Sequence, residues 1–185
     1  MIEKRREIVV VATSEGTLSG RIVRLSIGDA RPSLTFRLRI PVLVRGTEAA
    51  LRIDLRYPKV RSWLGLGGRT YRFDESTRTH EKSDGDTYVR DDVFGDLRTA
   101  TGHHDTFITQ VAFGNRDGEH LTVNVEGTVR MDDGVVPFAV GARVHVGGVV
   151  VEHGTEDEAA RHLDPDAYQR AVVRDGVVTY DPKFA

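Results

Sequence analysis

Apolar residues recur at every second position through much of the chain. In Leu34-Thr35-Phe36-Arg37-Leu38-Arg39-Ile40 they alternate with Arg37 and Arg39, and Leu51-Arg52-Ile53-Asp54-Leu55-Arg56-Tyr57 repeats the pattern. Leu121-Thr122-Val123-Asn124-Val125-Glu126 does so again, and the alternation runs on past Gly127 to Val129 and Met131. Side chains of a strand point alternately to its two faces, so each segment predicts one apolar and one charged face. That is the pattern of antiparallel sheet with one side wet, since strands buried on both faces read as continuous apolar runs.

Further strands are predicted with less regular patterns. Thr17 to Ile27 carries Gly20 where the apolar parity shifts from Leu18 to Val23, Leu25 and Ile27, which predicts a bulge or bend at that glycine. Thr106 to Phe113 is expected to turn Phe107, Val111 and Phe113 to one face. Val135 to Val151 places Val140, Ala142, Val144 and Val146 on one side, then breaks at Gly147-Gly148. Arg69–Asp74 and Thr87–Asp91 are expected to pair around Ser83-Asp84-Gly85-Asp86, because Asp-Gly is a strong hairpin signal. Arg116-Asp117-Gly118 and Asp132-Asp133-Gly134 predict two more turns. If the strands flanking the second form a hairpin, Glu126 and Arg143 could meet across it.

Helix is expected only late. Thr155-Glu156-Asp157-Glu158 has the form of a capping box and predicts a helix over 156–163. Asp164-Pro165 reads as a second N-cap, with a helix over 165–173 to follow. The least hydrophobic stretch, residues 74–105, predicts an extended polar hairpin and then a mobile segment from Phe94 to His104. The expected fold is a single β domain over residues 1–185, an antiparallel barrel of roughly eight to ten strands, closed or nearly so. Two short helices over 155–174 form an appendage, and a two-sheet β-sandwich is the alternative.

Composition removes several functions. The chain has 185 residues, 26 Lys+Arg against 28 Asp+Glu, a net charge of −2 and no cysteine. Near-neutral charge offers no electrostatic case for nucleic acid or an anionic membrane. Without thiols there is no disulfide framework, thiolate zinc site or cysteine nucleophile. Neither a secretory leader nor a membrane-spanning run is visible, so a cytoplasmic protein is expected.

Candidate chemistry is sparse. His103-His104-Asp105 offers imidazole and carboxylate, the usual ligands of zinc, iron or manganese, but adjacent histidines on a strand face opposite ways. No metal or other cofactor is assigned. Trp63-Leu64-Gly65-Leu66-Gly67-Gly68 reads either as a flexible flap over a barrel mouth or as a plug in the barrel end. There is no Gly-x-Ser-x-Gly elbow and no phosphate loop. Charges on the outer faces avoid the desolvation a charged lumen would require, so the inner faces are apolar and a cavity there would suit a hydrophobic molecule. The expected function is binding such a molecule, with cyclisation or isomerisation by positioning as an extension, as in barrel-shaped cyclases of bacterial natural-product pathways. The binding candidates are Trp63, Leu66, Tyr57, Tyr71, Phe36, Phe107, Arg98, His103 and His104. The alternatives are a non-catalytic assembly module, forming a homodimer or docking a partner through strand edges, and a metal enzyme at His103 and His104.

Overall fold

The computed structural model describes residues 9–24, 31–56, 58–74, 79–83, 86–90, 92–171 and 177–184, with backbone alone for 79–83 and 86–90. The strands run in the order β1 (Val10–Ala12), β2 (Gly16–Val23), β3 (Ser33–Val44), β4 (Thr47–Leu55), β5 (Thr70–Arg72), β6 (Thr79–Ser83) and β7 (Asp86–Arg90). They continue as β8 (Val93–Thr99), β9 (Gly102–Asp117), β10 (His120–Met131), β11 (Gly134–Val151), β12 (Tyr168–Arg170) and β13 (Thr179–Pro182). A 3-10 turn at Trp63–Leu66 follows β4, and α1 (Glu156–His162) follows β11.

The protein is mainly β, the described residues forming eleven strands in one sheet and β6–β7 as a separate pair. Hydrogen-bonded neighbours lead from β2 through β3, β4, β8, β9, β10 and β11 and back to β2, a ring of seven strands. Among the described residues every pairing is antiparallel except that of β2 with β11. The inner face is the apolar set of the alternating segments: Leu34, Phe36, Leu38 and Ile40 on β3, Leu51, Ile53 and Leu55 on β4, and Val123 and Val125 on β10 are all buried. Trp63 and Leu66 are fully out of water and join the same core. Arginines and carboxylates take the outer face, where Arg37 Nε donates to Asp54 at 2.6 Å.

Several expectations are corrected. The bulge assigned to Gly20 lies on the partner strand: β2 pairs with β3 without a break, while the β11–β2 register slips between Val146 and Val149, across Gly147-Gly148. Gly20 is needed because a Cβ there would lie 2.6 Å from a methyl of Val149. The Asp-Gly hairpin joins β6 to β7, its residues 84–85 lying outside the described set, and β5 pairs with β9 instead. Residues 94–104, expected as a mobile segment, are the body of β8, a turn and the start of β9, with β8 paired to β4 on one side and to β9 on the other. Leu25, Ile27 and Asp91 lie outside the described residues.

The capping box holds, with Thr155 Oγ1 accepting from Glu158 N at 3.2 Å and Glu158 Oε2 accepting from Thr155 N at 2.8 Å. The second helix does not form. Asp164 Oδ1 accepts from Asp166 N and a single turn follows, but Tyr168–Arg170 then pairs with β13. Local capping chemistry makes the turn, and pairing with a strand that lies later in the chain takes the residues a helix would need. No described helix is long and apolar enough to cross a membrane.

Candidate functional site

Among the described residues, the inner side of the sheet is tightly packed at the one void that opens there. The inner void lined by Val10, Leu51, Leu97, Thr106, Val129 and Phe138 is too tight for a water molecule. Packing to that density is the ordinary condition of a core. A cleft of about 440 Å³ lies instead on the outer side of the sheet.

It arises where β9 changes partner. Residues 102–106 of β9 pair with β8, and residues 110–112 pair with β5. Between them the register with β10 slips, Gln110 facing Glu126 but Ile108 facing Gly127, so Thr109 is the extra residue of a bulge. A one-residue bulge inverts the faces before it. Ile108 therefore enters the core and Phe107 turns outward, half-buried, the reverse of the predicted parity. The bulge brings the Phe107 carbonyl to 2.4 Å from where a Cβ on Gly127 would sit, so glycine is required there.

Phe107, Phe73 and Phe94 give the cleft three aromatic walls, with Val93 and Val135 beside them. Asp105, Thr128 and Arg130 bring polar groups to the same space. Asp105 and Arg130 are exposed and, among the described residues, make no hydrogen bond or ion pair. Asp74 and Asp92 also line the cleft and already engage neighbours. The Thr106 hydroxyl is buried with no hydrogen-bond partner. A Cβ on Gly95 would lie 2.2 Å from that oxygen, so Gly95 is the residue that leaves room for Thr106. Phe94 is flanked by the guanidinium groups of Arg52 and Arg56, 5.7 and 5.8 Å from its ring centroid, cation–π contacts that hold the ring at the cleft edge.

Arg52 faces Asp96 across the β4–β8 ladder, and Asp96 faces Asp105 across the β8–β9 ladder. Asp96 is buried and accepts from Arg98 Nε at 2.6 Å through one oxygen. Its other oxygen, and Arg52 Nε, have no partner. A buried carboxylate with half its capacity unused is uncommon.

The residues singled out from sequence do not form one site. Phe36, Trp63 and Leu66 belong to the packed core, so the 63–68 segment is the plug and not a flap. Tyr71 is half-buried on β5, donating to the Pro58 carbonyl at 2.9 Å, and burial pushes its phenol pKa up. Arg98 lies beside Asp96, His103 faces outward opposite Arg98, and His104 faces the other way opposite Leu97. Tyr57 lies outside the described residues. Of the eight that the structure describes, Phe107 alone lines the cleft. Phe73, Phe94 and Arg130 were missed, and no motif or spacing in the sequence links them.

A second polar cluster forms where β2, β10 and β11 begin to run together. His120 Nε2 lies 2.9 Å from Glu15, His145 Nε2 lies 3.2 Å from Glu119, and the two rings meet edge to face at 5.4 Å. Arg143 joins Asp117 at 3.1 Å rather than Glu126, because the register sets Arg143 against Thr122 and Glu126 against Ala139. No group of three or more potential metal ligands is gathered among the described residues. No protein family, no curated protein and no solved structure matches this chain.

Proposed function

We propose that the protein binds a small, largely apolar molecule in the outer cleft, its body against Phe73, Phe94 and Phe107 and an acidic or hydrogen-bonding group at Arg130. The observation that carries this reading is the cleft itself. Its volume of about 440 Å³ lies in the range of small-molecule sites, and it joins an apolar wall to a few convergent polar groups. In this reading the seven-strand ring is a closed barrel whose filled interior acts as a rigid frame, and the ligand sits on its flank. The reading is one of binding without turnover: the cleft joins aromatic rings to a cation and carboxylates, a set suited to recognition. A homodimer is the second reading, favoured by Val9 and Val11, both more than half exposed at the short strand β1.

Native mass spectrometry of the freshly purified protein, followed by denaturing extraction, tests both. A co-purified organic molecule near one-to-one supports the first reading. A bare monomer mass that stays unchanged with a panel of aromatic carboxylates and fatty acids overturns it, and a bare dimer mass moves the assignment to the second.

A further inference from the structure

A second cleft, of about 280 Å³, opens beside the start of β3 and shares no lining residue with the first. Its polar lining is Arg56, Lys59, Arg61, Arg161, His162 and the Ser33 hydroxyl, and among the described residues it contains no carboxylate. Leu34, Pro58 and Val60 supply apolar surface between them. The cations come from two segments: the connection that follows β4, at Arg56, Lys59 and Arg61, and the last turn of α1.

Basic residues in a last helical turn have an ordinary explanation, since they offset the negative end of the helix dipole. Here that task is performed by another side chain. Arg61 Nη2 donates to the carbonyls of Arg161 and Leu163, at 3.1 and 2.9 Å, and the Arg61 carbonyl accepts from Asp164 N at 3.0 Å. The same bonds fix the end of α1 against the 58–61 connection, so the two cationic walls are held at a set separation. Glu158, one turn before Arg161, is hydrogen-bonded to Thr155 through the capping box and meets Arg161 only through space. Lys59 and His162 make no hydrogen bond or ion pair among the described residues, and Lys59 keeps a left-handed backbone, φ 54°, that non-glycine residues adopt at a cost. Arg56 is engaged at Phe94 and Arg61 at the helix end, which leaves Lys59 and Arg161 as the like charges of a concave, partly apolar space that a bound anion would relieve.

We propose that this cleft binds a phosphate monoester, its phosphoryl oxygens held by Lys59 and Arg161 and its organic part against Leu34, Pro58 and Val60. Neither the aromatic cleft nor its ligand is needed for this assignment, so each stands or falls separately.

The test is isothermal titration in low-salt buffer with inorganic phosphate and with phenyl phosphate. The protein is compared with its Lys59→Gln/Arg161→Gln variant, both substituted side chains being exposed. Saturable binding is expected, with phenyl phosphate the tighter ligand. The double variant is expected to weaken it at least about tenfold, the order for losing charge-assisted hydrogen bonds. Unchanged affinity in the double variant overturns the site, as does the absence of saturable heat. Equal affinities for the two probes overturn the monoester assignment in favour of the free ion. Should the double variant melt early, Arg161→Gln alone is compared, with the same outcomes.

Discussion

The phenol oxygen of Tyr168 accepts a hydrogen bond from the backbone N–H of Trp63 at 3.1 Å, across 105 positions of sequence. Both residues are buried. The bond ties the 3-10 turn that plugs the core to the edge strand β12, and Phe184 completes the joint with its ring 5.5 Å from that of Trp63. The guanidinium of Arg116 covers the indole from the other strand pair, 4.9 Å from its centroid. Burial pushes the Tyr168 phenol far above its ordinary pKa, so it stays protonated and its oxygen remains a neutral acceptor.

Tyr168→Phe leaves the Trp63 N–H buried and unpaired. The expected loss is about 1–3 kcal/mol. A lower urea midpoint with an unchanged slope is the predicted result, because the extent of burial is the same. An unchanged midpoint would mean that the plug is held by packing alone.

Gly127 and Gly141 make a matched pair. A Cβ at Gly127 meets the carbonyl oxygen of Phe107 at 2.4 Å, whereas at Gly141 it meets the end of the Asn124 side chain at 2.8 Å. Backbone cannot move aside as a side chain can. Gly127→Ala is therefore expected to cost about 1–3 kcal/mol and Gly141→Ala less. Thermal unfolding of the two variants checks the order, and equal effects would contradict the bulge geometry.

Asp54 gives the fold an acid-sensitive element. Burial raises its pKa, but hydrogen bonds from Arg37 and Arg52 outweigh burial and hold the carboxyl below the ordinary value of 3.8. A carboxyl with a folded pKa below its unfolded one binds fewer protons when folded. Its contribution is thus complete above about pH 4 and disappears as pH falls through the lowered folded-state value. Asp54→Asn is expected to reduce stability at pH 7 by about 1.5–3 kcal/mol, the range for hydrogen bonds to a charged group. It should also flatten the dependence of stability on pH below about pH 4. Urea titrations at a series of pH values test both parts, and parallel curves for the two proteins would contradict the assignment.

Local pattern carried the strands that alternate cleanly. Leu34–Ile40, Leu51–Leu55 and Leu121–Met131 became β3, β4 and β10 with the predicted faces inward. Thr155 and Glu158 placed α1 for the same reason, since all the atoms involved are neighbours in sequence. What was not legible depends on distant partners. In Phe107-Ile108-Thr109-Gln110-Val111 either parity puts apolar residues inside, and the choice is made by a bulge set against β10. The parallel pairing of β2 with β11 leaves no mark in either strand's own alternation. The single turn at Asp164 is kept from becoming a helix by β13 and by the Trp63 N–H, neither of which its capping residues announce. The cleft was illegible in the same way, because Phe73, Phe94, Phe107 and Arg130 share no spacing.

Val135→Trp is the substitution that decides whether a ligand occupies the aromatic cleft. Val135 is 61% exposed and lines the cleft, so an indole there fills the space without entering the core. The measurement is the amount of co-purifying or titrated small molecule retained by the two proteins in native mass spectra at equal concentration. The variant is expected to keep its melting temperature and to lose at least about tenfold in retained ligand. Equal retention by both proteins would contradict that expectation and put the ligand elsewhere on the molecule.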